Sequence, residues 1–206
     1  MKHPVIPKFR ILFFFAVGII GILIFAAVSH HHIASNVLRL HVIANSDITC
    51  DQLLKLQVRD RILKDYGDLF RTCQTAKEAE AVAENYRESI LASAQDELLQ
   101  YGCDTPVSVS VTPCKFPTKS YGGIRLPAGV YTALQVRIGA AEGHNWWCVL
   151  YPPLCLSQGS LSADPEALSK LRSHLTENEY NTLCSEDTIS VRFQFKLLEL
   201  LGKYFS

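Results

Sequence analysis

His144 and Cys148, four positions apart, are the candidates in this chain for a base beside a nucleophile. A thiolate activated by an imidazole, with a third group to orient the ring, would make a thiol-dependent hydrolase. The intervening Asn145-Trp146-Trp147 is bulky and successive strand residues alternate faces, so the simpler reading is a turn histidine beside a structural cysteine. Asp47, Asp51 and Asp60 could form a carboxylate cluster. Each has a plainer role: Asp47 as a helix-start residue, Asp51 as a first-turn acid favoured by the helix dipole, Asp60 as an exposed helical charge beside Arg59. His41 falls on the face of a strand that also shows Arg39, a face expected to be solvated. His30-His31-His32 invites a metal, yet three adjacent imidazoles on a flexible linker do not readily share one ion. The sequence holds no HExxH, P-loop, G-x-S-x-G or paired CxxC. The expectation is therefore no catalytic residue, no metal, no cofactor and no small-molecule substrate, which leaves recognition.

The elements that must position these residues can be read from periodicity. Trp146 to Tyr151 is an apolar strand, and Pro152-Pro153 must end it because proline cannot donate to a ladder. Trp146 and Trp147 point to opposite faces of that strand as structural aromatics, one of them in the core. Six residues separate Cys148 from Cys155, a spacing that permits a disulfide without requiring one. Val37 to Ala44 is a second strand with Leu38, Leu40, Val42 and Ala44 on one face. Thr49 and Gln52 form a capping-box pattern, and Leu54, Val58 and Ile62 carry a helix to about Asp65. Thr75 and Glu78 repeat the pattern and open a helix that Gly102 ends. Val107, Val109 and Val111 alternate with polar residues, as do Thr132, Leu134, Val136 and Ile138 with their neighbours. Asp164-Pro165 reads as an N-cap and first helical position for a helix to about His174. Val191 to Phe205 reads as an amphipathic helix. One strand, two helices and three more strands predict an α+β fold: a mostly antiparallel sheet of about four strands with helices on one face.

Lys2, Lys8 and Arg10 precede eighteen uncharged residues, Ile11 to Val28. At about 1.5 Å per residue this run just crosses a bilayer core of about 30 Å, with the basic flank on the cytoplasmic side. Ala27-Val28-Ser29 also offers small residues for signal cleavage, although the length of the apolar run favours an uncleaved anchor. The organisation expected is a cytoplasmic flank and membrane or signal segment over 1–29, a stalk over 30–36, and a core domain over 37–156. A linker over 157–163 and a packed C-terminal helical segment over 164–206 follow. Without residues 1–29 the chain holds 17 basic and 20 acidic residues, a formal charge of −3, which argues against nucleic acid. Seven cysteines are an odd number, so at least one thiol is free or pairs between chains. Cys50, Cys73, Cys103 and Cys184 read as free thiols.

Two groups of motifs resemble the stage II sporulation protein R family. The first is Leu38-Arg39-Leu40-His41-Val42-Ile43-Ala44-Asn45-Ser46-Asp47 with Asp51-Gln52, Lys55 and Val58-Arg59-Asp60. The second runs from Phe116-Pro117-Thr118-Lys119-Ser120-Tyr121-Gly122 through Leu126-Pro127-Ala128-Gly129-Val130-Tyr131 to Asn145-Trp146-Trp147-Cys148 and Pro152-Pro153-Leu154-Cys155. The resemblance covers nearly the whole exported part. It implies a signalling protein made in the forespore and exported, membrane-anchored or secreted, into the space between forespore and mother cell. There it would trigger a membrane-embedded aspartic protease that cleaves the pro-sequence of the early mother-cell sigma factor. Where a proline is expected after Asn45-Ser46-Asp47, this chain has Ile48-Thr49-Cys50, so the shape of that turn is not carried over. The partner-binding patch expected is the pair of polar loops beside strands, Asn45, Ser46 and Asp47 with Lys119, Tyr121 and Gly122, Tyr121 serving as an amphipathic anchor. The alternative from another class is the extracytoplasmic thiol-dependent hydrolase of the cell envelope, using Cys148 with His144.

Overall fold

The computed structural model describes residues 8–155 and 164–184. Helix α1 spans Lys8–Ser35 and strand β1 follows at Leu38–Ile43. Three helices come next, α2 (Thr49–Thr72), α3 (Ala76–Asn85) and α4 (Arg87–Gln100). Strands β2 (Val107–Phe116), β3 (Lys119–Tyr121), β4 (Ile124–Leu126), β5 (Gly129–Ile138) and β6 (Asn145–Tyr151) precede two short helices, α5 (Pro165–His174) and α6 (Glu177–Cys184). The four-stranded sheet has the order β2-β5-β1-β6, with β1 parallel to β5 and the other neighbours antiparallel. The mixed fold and mostly antiparallel four-stranded sheet match the expectation. β3 and β4 form a separate hairpin closed by Gly122-Gly123, both at positive φ (51° and 93°), the conformation a two-residue hairpin turn demands.

On one face of the sheet Leu38, Leu40 and Val42 of β1 meet Leu54, Val58 and Ile62 of α2, Ala79 and Ala83 of α3, and Ile90, Ala94 and Leu98 of α4. The rows at i, i+4 and i+8 that marked α2 are the rows that pack. Each fully buried Leu, Ile or Val there contributes about 1.5–3 kcal/mol, and the buried row of α3 is all alanine, Ala76, Ala79 and Ala83, which lets that helix pack close. The other face has its own cover. Phe116, Ile124, Leu126, Tyr131, Ala133 and Val149 form a second core with Ile33 and Ala34 at the end of α1, Val37 just before β1, and Ala167, Leu171 and Leu183 of α5 and α6. Arg39 and His41, expected to be solvated, are therefore 0 % and 6 % exposed. Apart from Ile33, Ala34 and Val37, that cover comes from segments about 80 to 140 residues away in sequence, which local alternation in β1 could not reveal.

Four further local expectations need correction. α2 starts at an Ile48 N-cap that makes no side-chain bond, so Thr49 and Gln52 form no capping box, and the helix runs to Thr72 because Tyr66 and Phe70 extend its buried row. The Thr75 cap is present, accepting from Glu78 N at 3.2 Å, but the chain breaks at Tyr86 (φ −97°, ψ 5°) into α3 and α4. Gly102 then ends α4 at φ 69°, with Cys103 N bonded to Leu98 O and Gly102 N to Leu99 O, a Schellman arrangement. His30-His31-His32 is not a free stalk. It continues α1 as helix, with His30 Nε2 3.0 Å from Ala128 O and His32 Nδ1 3.0 Å from Glu179 Oε2. The Asp164 cap is also present, accepting from Glu166 N at 2.9 Å, with Pro165 opening α5. The expected linker over 157–163 and the helix over Val191 to Phe205 lie outside the described residues. α1 is long and apolar enough to cross a membrane over Leu12–Ser35, and none of its apolar window is buried within the protein.

Candidate functional site

The polar loop Asn45-Ser46-Asp47 emerges where β1 ends and α2 has not begun, so its backbone groups need partners from outside both elements. They come from the β5–β6 connection: Gly143 N donates to Ala44 O at 3.0 Å and Glu142 N to Asn45 O at 3.2 Å. Side chains complete the knot. Asn45 Nδ2 and Ser46 Oγ both donate to Asp51 Oδ2, at 2.8 and 2.6 Å, while Asn45 Oδ1 accepts from Ala140 N at 3.0 Å. Gln52 Nε2 donates back to Ser46 O at 2.8 Å, the contact it makes in place of a capping box. Asp47 Oδ1 accepts from His144 N at 2.6 Å and from the His144 ring. Two glycines permit this closeness. A Cβ on Gly139 would lie 2.2 Å from Asn45 Oδ1, and one on Gly143 would lie 2.2 Å from Ser46 O.

Charge is concentrated at this edge. The hydrogen bond from the His144 side chain holds the Asp47 carboxyl below its ordinary range, and the His144 backbone N–H adds to it. Lys55, only 5 % exposed, donates to His144 O at 2.8 Å and to Gln52 Oε1. Burial lowers its pKa, with nearby Asp47 opposing that shift. One turn further along α2 the Arg59 guanidinium lies 4.1 Å from the Trp146 ring and pairs with Asp60 at 2.6 Å. The result is an edge whose groups are mutually saturated yet face water at Asp47 and His144.

The second expected loop lies elsewhere. Lys119 is exposed and Gly122 half-buried at the β3–β4 hairpin, but the Tyr121 hydroxyl turns inward. It accepts from Arg39 Nη2 at 2.7 Å and donates to Trp147 O at 3.2 Å, so Tyr121 is a half-buried strut rather than a free anchor. Arg39 stands near the start of β1 and Asn45 two residues past its end, on the order of 20 Å apart along extended chain, and the structure does not merge the two loops into one patch. Arg39 is enclosed by aromatic rings, its guanidinium carbon 4.2 Å from the Phe116 centroid, 4.9 Å from Tyr131 and 5.4 Å from Tyr121. Burial pushes the Tyr131 hydroxyl up to about 12, against the pull of Arg39. His41 stacks on Trp147 with centroids 4.0 Å apart and bonds Asn145 Oδ1 at 2.8 Å. Trp146 and Trp147 do take opposite faces, and each is half-buried; neither is a wholly buried core residue.

The pairing needed for a thiol nucleophile is not brought together. Cys148 is buried and joined to Cys155, their Cα atoms 5.5 Å apart, while the His144 ring turns to Asp47. Among the described residues no group of three His, Cys, Asp or Glu side chains is placed to hold a metal. Asp47 was expected in the patch, but its pairing with His144 was not, and Arg39 and Lys55 were missed as site residues. Lys55 left one signal, a lysine next to Leu54 in the buried row of α2.

The family described as Stage II sporulation protein R matches residues 34–160, which include both loops, the Arg39 cage and the disulfide. The chain is 37% identical over 123 residues to Stage II sporulation protein R of Bacillus subtilis (strain 168), across 60% of this chain and 55% of that protein. It thus spans about half the length of the curated relative it matches. No solved structure matches. With the polar edge and the Arg39 cage both inside the matched span, the chain belongs to the stage II sporulation protein R family.

Proposed function

We propose that this chain is an exported sporulation signal that activates a membrane-embedded aspartic protease, which then processes the pro-form of the early mother-cell sigma factor. The observation that carries the reading is the Asn45–Asp47 edge, tied down by Asp51, Gln52, Ala140, Glu142, Gly143 and His144 yet facing water at Asp47. A surface fixed before binding loses little conformational entropy when it docks. Activation needs only differential affinity for the active form of the partner, and about 1.4 kcal/mol gives a tenfold shift. One or two polar contacts at Asp47 and His144 meet that requirement. The apolar α1 supports export with the domain on the far side of the membrane.

Co-expression with the protease and its pro-sigma substrate in a non-sporulating host, followed by gel, tests the proposal. Cleavage that depends on this chain and on its export is expected, and Asp47→Ala is expected to reduce it while the protein remains folded and exported. Equal cleavage without this chain would overturn the activator reading. Full activity of Asp47→Ala would move the contact away from this edge.

A further inference from the structure

Among the described residues Arg39 is the largest side chain that the fold buries completely, and none of their carboxylates lies within ion-pair distance of it. Its polar contacts are few. Nε donates to Cys148 O at 2.9 Å, Nη2 to the Tyr121 hydroxyl at 2.7 Å, and Nη1 has no hydrogen-bond partner. The rings of Phe116, Tyr121 and Tyr131 supply cation–π attraction, but they offer no acceptor in the guanidinium plane. Burying an ionised group is costly unless its donors are satisfied, and arginine stays protonated in proteins. The unsatisfied end is the Nη1–Nη2 edge, the side that matches the two oxygens of a carboxylate. The Tyr121 hydroxyl already occupies the place of one of those oxygens. Tyr121 is also a half-buried part of the cage, next to the Gly122-Gly123 turn, with exposed Lys119 and Ser120 preceding it on the same three-residue strand.

We infer that Arg39 is a receptor for a carboxylate, gated by the Tyr121 side chain, and that the group it takes is an acidic side chain presented by a partner. When Tyr121 swings out, its hydroxyl leaves Nη2 and a carboxylate bridges Nη1 and Nη2, while Cys148 O keeps Nε in place. The ring that leaves and the hairpin around it become part of the contact. The identity of the partner rests on the activator reading above; the site itself does not, so formate binding and substrate processing can fail separately.

The test uses the full chain in neutral detergent carrying Trp146→Phe, which leaves Trp147, bonded to Tyr121, as the sole tryptophan. Sodium formate is titrated against sodium chloride at constant ionic strength while Trp147 emission is followed. With Tyr121→Ala a saturable, formate-specific change is expected, half-complete at about 1–10 mM for so small a ligand and at least tenfold tighter than with Tyr121 intact. Adding Arg39→Lys, which keeps the charge but loses the fork, should weaken it at least tenfold. Tyr121→Leu, which removes the hydroxyl and keeps apolar cover, is read the same way and serves if the alanine variant fails to fold. A folded Tyr121 variant with no formate-specific change, or one whose response survives Arg39→Lys unaltered, would overturn the inference.

Discussion

Gly143→Ala is the sharpest test of the loop geometry. An added Cβ would stand 2.2 Å from Ser46 O and 2.5 Å from Ser46 C, where ordinary contact begins at 3.4 Å. The obstacle is backbone, so no side-chain rotation relieves it, and two responses compete. If the loop stays closed, overpacking costs about 1–3 kcal/mol. If the β5–β6 turn lifts away, the bonds Gly143 N–Ala44 O and Glu142 N–Asn45 O are lost at about 1 kcal/mol each. A 2.2 Å contact with backbone stands at the top of that overpacking range or above it, whereas opening costs about 2 kcal/mol and frees the clash entirely, so opening should win. For a domain of this size that lowers Tm by about 4–8 °C. The assay is near-ultraviolet circular dichroism of the full chain in detergent, with hydrogen exchange at Glu142 and Gly143. Both amides should lose protection, and processing in the co-expression assay should fall. A Tm within 1 °C of the parent, or a lower Tm with both amides still protected, would refute the reasoning.

Burial holds the His41 imidazole below its ordinary pKa of 6.5, against the opposing bond to Asn145. The unfolded chain therefore binds a proton that the folded chain resists, so stability falls as pH drops below about 6.5. His41→Gln should flatten the urea midpoint between about pH 7.5 and 5.5, and an unchanged slope would count against the buried neutral ring. Burial raises the Glu179 carboxyl, but the backbone and side chain of Thr176 and then His32 outweigh that and leave it below 4.5. Its stabilisation is present above about 4.5 and lost as pH falls through the folded value, so Glu179→Gln should remove part of the acid sensitivity of unfolding. For the disulfide, alkylation of the denatured chain should add five labels without reductant and seven with it, read by intact mass. Seven in both would mean that Cys148 and Cys155 are free.

Features set by residues a few positions apart were legible in the sequence. The inward row Leu38, Leu40, Val42 and the caps at Thr75 and Asp164 depend only on local spacing, and the structure holds them. The Thr49 cap failed because Ile48 takes the N-cap position, while Gln52 donates its Nε2 to Ser46 O and accepts from Lys55 at Oε1, inside a loop that α2, β1 and the β5–β6 turn build together. Arg39 and His41 were misplaced because β3, β4, α5 and α6 add a second layer, and no pattern within β1 reports it. Tyr121 was recognised as a residue of interest on its position in a polar loop, but its inward turn depends on a cation 82 residues earlier. The Asp47 and His144 pairing spans 97 residues and could not be found by periodicity at all.

α1 does not hand over to a flexible tether. It stays helical to Ser35, plants Ile33 and Ala34 in the core, and is held by His30 and His32 before β1 begins at Leu38. From Val28 to Ser35 is roughly 10 Å of helix. Under the proposed export with α1 kept as an anchor, the domain would stand on a short, stiff mast close to the bilayer, with its tilt and azimuth set by the helix. It would search for a partner in two dimensions at one fixed height, and a longer or jointed spacer inserted after Val28 would trade that alignment for reach.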